Sequence, residues 1–484
     1  MSPELEQQAL ACIFPGFQGA VAPEWVRRRL AEGLGGVVLF GWNVESPAQL
    51  RSLTASLRSE GDVLVGIDEE GGDVTRLEVA TGSSYPGNAA LGAVDDVELT
   101  ERVAASIGAD LAEAGANLNL APVADVNTNP LNPVIGIRSF GADSGLVARH
   151  VAASVRGLQG AGVAACAKHF PGHGDTFEDS HHELPVVESL EEAALAPFRA
   201  AIAADVQSIM TAHIVVRSLG ETPATMSRAL LHDLLREELR FDGLVLTDAL
   251  EMKAISATVG VDEGAVQAIA AGADALCLGH DLFDESVVAV RDALVVAVRS
   301  GRLPESRLAE AAGRVRRAAV WASRGGSGDR VAREVGRDAA ERALRIVGEA
   351  SLDAPPLVVE LEPEPSMAAG RLAETPGVWF RNVVPEAEVV RSADAALERA
   401  NGRPLVIVTR DAHRHESARR AIEQLVVRSP EAVVIELGLP YWHPSAGAFV
   451  ATYGAGRVNV EAAAGALYSG PRRGVEQSGS SPGS

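Results

Sequence analysis

The chain predicts an α/β fold: a (β/α)8 TIM-type barrel followed by a smaller open α/β domain of the αβα-sandwich kind. Three observations carry that expectation. Short apolar runs recur and are continuous rather than alternating, as in parallel strands buried on both faces. Each run is followed by an amphipathic, helix-like stretch, and eight such pairs are complete by Leu278. A Gly/Ser-rich stretch then precedes a second, shorter series of the same pattern. A doubly wound open sheet is the alternative for the first series.

The eight runs are Leu10 to Phe14, Gly36 to Phe40, Val63 to Asp68, Leu118 to Val123, Val163 to His169, Gln207 to Ile214, Leu244 to Asp248 and Ala273 to Leu278. Between them lie amphipathic segments such as Ala142 to Gln159, Leu190 to Ala204, Arg228 to Arg240 and Asp262 to Ala271. Arg302 to Trp321 reads as a further helix, and Ser323 to Gly328 as a linker. The later strand candidates are Leu357 to Leu361, Val378 to Val383, Leu405 to Thr409, Ala432 to Leu437 and Phe449 to Tyr453, with Glu416 to Val427 helical. The expected organisation is a barrel over 1–325, a linker region over 326–345, a second domain over 346–470 and a Gly/Ser/Pro-rich, disordered tail over 471–484.

Composition narrows the function. With 484 residues, two or three domains are expected. Hydrophobic residues make up 47% but aromatics only 4%, so the cores must be built from Ala, Val and Leu. The net charge of −22 argues against nucleic acid and anionic membranes as partners, since both need basic patches. The cysteines Cys12, Cys166 and Cys277 lie in apolar runs without a Cys-x-x-Cys pair and read as buried thiols. Residues Met1 to Leu10 lack the basic start and apolar core of a signal peptide, and no run approaches a membrane span. A cytoplasmic monomer or homodimer is expected.

The polar residues then stand out by position. Asp68, His169, His213 and Asp248 all close apolar runs. In a barrel those ends converge on one face, where active sites form. Taken singly, Asp248 reads equally well as a helix N-cap, Arg76 or Arg138 as a surface salt bridge, and His213 as a hydrogen-bonded core histidine. The densest stretch is Lys168-His169-Phe170-Pro171-Gly172-His173-Gly174-Asp175-Thr176, followed by Asp179-Ser180-His181.

This window resembles the signature of bacterial β-N-acetylhexosaminidases of glycoside hydrolase family 3, a resemblance dense from about Ile13 to Leu278 and weaker beyond, chiefly at Tyr453-Gly454-Ala455-Gly456. It implies a retaining exo-β-N-acetylglucosaminidase without metal or organic cofactor. Asp248 would be the nucleophile, with Met252 following. Many relatives carry a second Asp where this chain has Ala249. His181, paired with Asp179 two residues earlier, would be the acid/base; spacing i, i+2 on an extended loop lets the carboxylate set the imidazole tautomer. Asp68, Arg76, Arg138, Lys168 and His169 would hold the terminal N-acetylglucosamine, with His213 lining the pocket. Position 73, often basic in relatives, is Asp73, read as a tolerated surface change.

Three other readings compete. Asp68-Glu69 could serve a substrate-assisted mechanism. His169, His173, His181 and His213 with Asp248 could ligate a metal in a barrel hydrolase. A neutral His acid/base, with Lys168 and His169 nearby, permits phosphate as acceptor and thus a β-N-acetylglucosaminide phosphorylase. The aglycone is left open between a muropeptide, as in peptidoglycan recycling, and a chitin fragment.

Overall fold

The computed structural model describes residues 3–176, 184–280, 283–326, 333–361, 368–370 and 373–468. It divides into two compact units. The first takes in residues 1–343 together with the segments 364–374 and 452–459, and the second holds the remainder.

In the first unit eight parallel strands form the barrel: β1 (Ile13–Pro15), β2 (Gly36–Leu39), β3 (Leu64–Ile67), β4 (Leu118–Asn119), β5 (Ala164–Phe170), β6 (Ser208–Thr211), β7 (Leu244–Leu246) and β8 (Leu276–Gly279). Each overlaps one of the eight apolar runs, with β1, β5 and β8 ending one residue past the expected end. Strands β2 to β7 pair in chain order. A parallel bridge from Leu246 to Ala275 joins β7 to β8, β8 pairs with β1, and Gly35 N donates to Leu10 O between β1 and β2. Leu10 itself lies in the last turn of the helix Pro3–Ala11 rather than opening a strand. Two more short parallel pieces, Val186–Val187 and Val215–Val216, sit outside the barrel.

Strands buried on both faces have two cores to fill, which explains the unbroken apolar runs. Inside, Phe14, Val38, Leu64, Leu118, Cys166, Met210, Leu246 and Cys277 pack together. Val315, Ala318, Ala319 and Ala322 of the helix Glu305–Ser323 close this inner core. Gly36 is needed here: a Cβ would fall 2.2 Å from the Phe14 ring and 2.6 Å from Leu64 O. Outside, the alternate strand residues Val37, Leu39, Val65 and Ile67 meet the apolar faces of the helices. Those helices begin on side-chain caps where the sequence supplies them, Asp96 accepting from Leu99 N and Asp143 from Leu146 N.

The region expected as a linker, 326–345, contains the helix Glu334–Ala343, whose Val335, Ala339 and Ala340 are buried in this unit. The Tyr453-Gly454-Ala455-Gly456 stretch also belongs to it: a Cβ on Gly456 would lie 2.8 Å from Gly72 O, and Arg457 donates to Gly82 O and Ser84 Oγ.

The second unit is an open sheet of β9 (Arg345–Gly348), β10 (Leu357–Leu361), β11 (Glu388–Val390), β12 (Leu405–Thr409), β13 (Val433–Glu436) and β14 (Ala448–Ala451), in the spatial order β9-β14-β13-β12-β10-β11. All pairs are parallel except β9 with β14. One expected strand is corrected. Val378 to Val383 lies in the helix Pro376–Val383, because Pro376 suits a first helical turn and Trp379 and Phe380 bury one helix face. The strand comes later, at Glu388–Val390.

Candidate active site

The loops after the barrel strands enclose a cavity of about 610 Å3 at their C-terminal ends. Every residue lining it belongs to the first unit. Asp68 follows β3, and two residues later Glu70 enters the same cavity. Lys168, within β5, sits between them, with Nζ 2.6 Å from Asp68 Oδ1 and 2.7 Å from Glu70 Oε1. Arg138 grips Glu70 with both arms of its guanidinium, Nε to Oε2 at 3.0 Å and Nη2 to Oε1 at 2.8 Å, the planar fork matching the carboxylate. Burial alone would raise the Glu70 carboxyl, but Arg138 and Lys168 overcome it and hold Glu70 well below the usual carboxylate range. Burial would lower the Lys168 ammonium, and Asp68 and Glu70 reverse that, so Lys168 lies above its ordinary value.

Arg76 reaches the cavity too, with Nη2 4.0 Å from Asp68 Oδ2. Its closer partners are backbone: it donates to Ala368 O at 2.6 Å and Ala369 O at 3.1 Å, so it holds the Ala368–Gly370 turn that forms one cavity wall. His169 lines the cavity with Nδ1 2.7 Å from Asp125 Oδ2. Asp125 is fully buried, and its other oxygen accepts from His173 N. That carboxylate therefore sets both the His169 ring and the turn after it. His173 also lines the cavity; burial pushes its imidazole down to about 4.

Asp248 follows β7 and is presented to the cavity, with Ala249 N donating to its Oδ1 at 2.8 Å. His213 does not line the cavity. It is fully buried behind the Asp248 turn, Nε2 3.0 Å from Ala249 O and Nδ1 2.7 Å from Thr225 Oγ1. Asp179 and His181 lie outside the described residues. Glu69 turns away from the cavity and accepts from Arg76 N and Leu77 N; burial pushes its carboxyl up to about 7. Asp68 and Glu69 thus do not face the cavity as a pair. Asp73 is buried, not a surface residue, because the Gly71-Gly72 turn folds it inward beside Val74 and Thr75. Among the described residues no three His, Cys, Asp or Glu side chains converge as metal ligands.

The loops after β2, β7 and β8 supply residues that sequence reasoning left unassigned. Trp42 stacks on Phe40 with centroids 4.9 Å apart and planes 10° apart, and His280 meets the Trp42 ring edge-on at 4.7 Å. Glu251 completes this side, accepting from His280 N at 2.7 Å. Their only signal in the sequence is position, just past the ends of apolar runs.

An ion-paired cavity over the C-terminal rim of a parallel barrel, with a strand-end carboxylate presented to it, lies where enzymes of this fold place their active sites. Residues 19–318 match the model of the glycosyl hydrolase family 3 N-terminal domain. The chain belongs to that family. It is 40% identical over 269 residues to a beta-hexosaminidase A of Pseudoalteromonas piscicida, covering 50% of this chain and 45% of that protein. It thus spans less than half the length of that relative. A beta-hexosaminidase of Thiobacillus denitrificans is 35% identical over 280 residues, 55% of this chain and 77% of its own. Among solved structures, a family 3 beta-N-acetylglucosaminidase from Paenibacillus sp. str. FPU-7 superposes with a TM-score of 0.86 at 36% identity, covering 96% of both chains.

Proposed function

We propose that this protein is a retaining exo-β-N-acetylglucosaminidase that removes a terminal N-acetylglucosamine from short glycans of chitin or peptidoglycan origin. One observation carries the reading: Asp248 faces the same cavity as the Asp68–Lys168–Glu70–Arg138 network. Such a network presents charge-assisted donors and acceptors to sugar hydroxyls in fixed positions. The names of the relatives point to the same sugar.

In the first step Asp248 attacks the anomeric carbon, and the bond to the aglycone oxygen breaks as that oxygen takes a proton from His181. In the second, His181 removes a proton from water, which attacks the anomeric carbon and releases Asp248. Asp179 orients His181 in this scheme, and both assignments come from the resemblance of the motif. Asp68, Lys168, Arg138 and His169 hold the sugar; Arg76 holds the wall beside it. Water is taken as the acceptor, since Lys168 and Arg138 are paired with carboxylates, and phosphate is the alternative.

Asp248→Asn should lower turnover by about four orders of magnitude or more, since an amide cannot form the glycosyl ester. A 5-fluoro-N-acetylglucosaminyl fluoride should label the wild type on the peptide carrying Asp248. A label on another residue rejects the assignment. Sugar phosphate among the products in phosphate buffer would replace hydrolysis by phosphorolysis.

A further inference from the structure

The rim of the barrel is chemically divided. On the loops after β3, β4 and β5 the cavity is ionic, built from Asp68, Glu70, Arg138 and Lys168. On the loops after β2, β7 and β8 it is aromatic and apolar, built from Phe40, Trp42, Met252 and His280, and Glu251 is the charged side chain among the lining residues after Asp248. In a chain with 4% aromatic residues, three rings packed on one another at one cavity wall are conspicuous. The platform is also fixed. Trp42 Nε1 donates to Phe17 O at 3.0 Å, and the Asn43 amide donates to Phe17 O and Gly19 O, so the loop after β2 is tied down while the indole keeps 40% of its surface exposed.

A preformed, exposed ring with one tethered edge is a surface on which the apolar face of a sugar can lie at little ordering cost. If the terminal sugar occupies the ionic half, with Asp248 just after β7 attacking its anomeric carbon, the leaving group must take the other half. Among the described lining residues the cations Arg76, Arg138 and Lys168 sit on the ionic side and are engaged there. Among the described lining residues of that half the carboxylate is Glu251, whose Oε1 lies 3.7 Å from His280 Nε2. A carboxylate on that sugar would face a carboxylate.

We infer that the Trp42–His280–Glu251 wall binds the leaving aglycone as a neutral sugar and discriminates against an aglycone bearing a carboxylate. This rests on the placement of the terminal sugar proposed above. It selects a neutral amino-sugar glycan over a fragment whose second sugar carries an acidic lactyl or peptide group.

Four substrates test it at pH 8, above the ordinary imidazole range: N-acetylglucosaminyl fluoride, N,N′-diacetylchitobiose, N-acetylglucosaminyl-N-acetylmuramic acid, and the methyl ester of that acid. The ester has the shape of the acid without its charge. The wild type should cleave the ester about tenfold better than the acid by kcat/KM, and Glu251→Gln should narrow that ratio to about threefold or less. Trp42→Ala should lower kcat/KM on chitobiose about tenfold more than on the fluoride, whose leaving group is too small to reach the platform, and Trp42→Phe should restore most of it. Equal rates on acid and ester overturn the proposal. So does a Trp42→Ala loss as large on the fluoride as on the disaccharide, which would place the terminal sugar on this wall. If none of the four releases N-acetylglucosamine, the proposed function itself is defeated.

Discussion

Two buried ion clusters sit at opposite ends of the barrel strands, and they do different work. At the C-terminal ends Lys168 joins Asp68 and Glu70, with Arg138 on Glu70. At the N-terminal end of β8 Asp274 is fully buried and held by three arginines. Arg236 and Arg307 bond its two oxygens, Arg314 lies 3.5 Å from Oδ1, and Val245 N donates to it at 3.0 Å. Further donors of Arg236 go to Phe241 O and Gly243 O, and those of Arg307 to Ile269 O, Ala273 O and Glu310 Oε2, while Arg314 also bonds Asp242 and Glu310. The lower cluster is saturated by protein and fastens the helix Glu305–Ser323 to the strand starts. The upper one opens onto a cavity, where Asp68 keeps about a fifth of its side chain exposed. Burial and pairing are alike in both; access to a ligand separates a site from a rivet.

The largest effect that would break this comparison is on stability at the lower cluster. Asp274→Ala leaves Arg236 buried without its counter-charge and Arg307 with Glu310 alone, so unfolding free energy should fall by about 3–5 kcal/mol in urea titration. The folded fraction should keep its kcat/KM. A loss of activity without loss of stability would make the lower cluster part of the catalytic apparatus. Next in size is Lys168→Met. Asp68 then loses its 2.6 Å partner, but Glu70 keeps Arg138 and water in the cavity can solvate the freed carboxylate. Stability should change by less than in Asp274→Ala, while kcat/KM should fall about a hundredfold, or about 2.7 kcal/mol, because the groups meant for sugar hydroxyls lose their positions.

How much of this was legible in the sequence follows the same divide. Each barrel strand overlaps a continuous apolar run and extends at most one residue past its end, since a strand buried on both faces has no polar side to blur the signal. Strand-end residues such as Asp68, His169 and Asp248 were visible for the same reason. Pairing across the barrel was not. Asp125, the partner of His169, comes from a different strand end 44 residues away, and no spacing announces it. His213 shows the converse: a strand-end histidine that ends up behind the site because the Thr225 hydroxyl and the Ala249 carbonyl claim both ring nitrogens. The helix at Pro376–Val383 was read as a strand because a short run of Val, Trp and Phe fits either element, and only the tertiary neighbours decide.

The smallest effect concerns protons, and it sharpens the contrast because burial moves two rim groups, Glu69 toward neutrality and His173 away from it. In the lower cluster burial takes Arg236 down, but only to about 10, well above this range. At the rim, His173 falls from an ordinary 6.5 to about 4, and Glu69 rises from 4.5 to about 7, both through burial first. The signs oppose each other. Between pH 6.5 and 5.5 the unfolded chain takes up a proton at His173 that the folded chain refuses, so stability falls with falling pH. Over the same interval folded Glu69 takes up a proton that the unfolded chain does not, so stability rises. Each contribution is about 1 kcal/mol, and together they nearly cancel. Relative to wild type, His173→Gln should therefore gain about 1 kcal/mol in going from pH 6.5 to 5.5, and Glu69→Gln should lose about 1 kcal/mol, measured by urea unfolding at the two pH values. The Glu69→Gln carbonyl oxygen can still accept from Arg76 N and Leu77 N, so that variant isolates the proton from the hydrogen bonds. The double variant should parallel the wild type. If neither single variant changes the slope, the two groups do not titrate across this range, and the rim is as inert to protons near neutrality as the arginine-clamped Asp274 end.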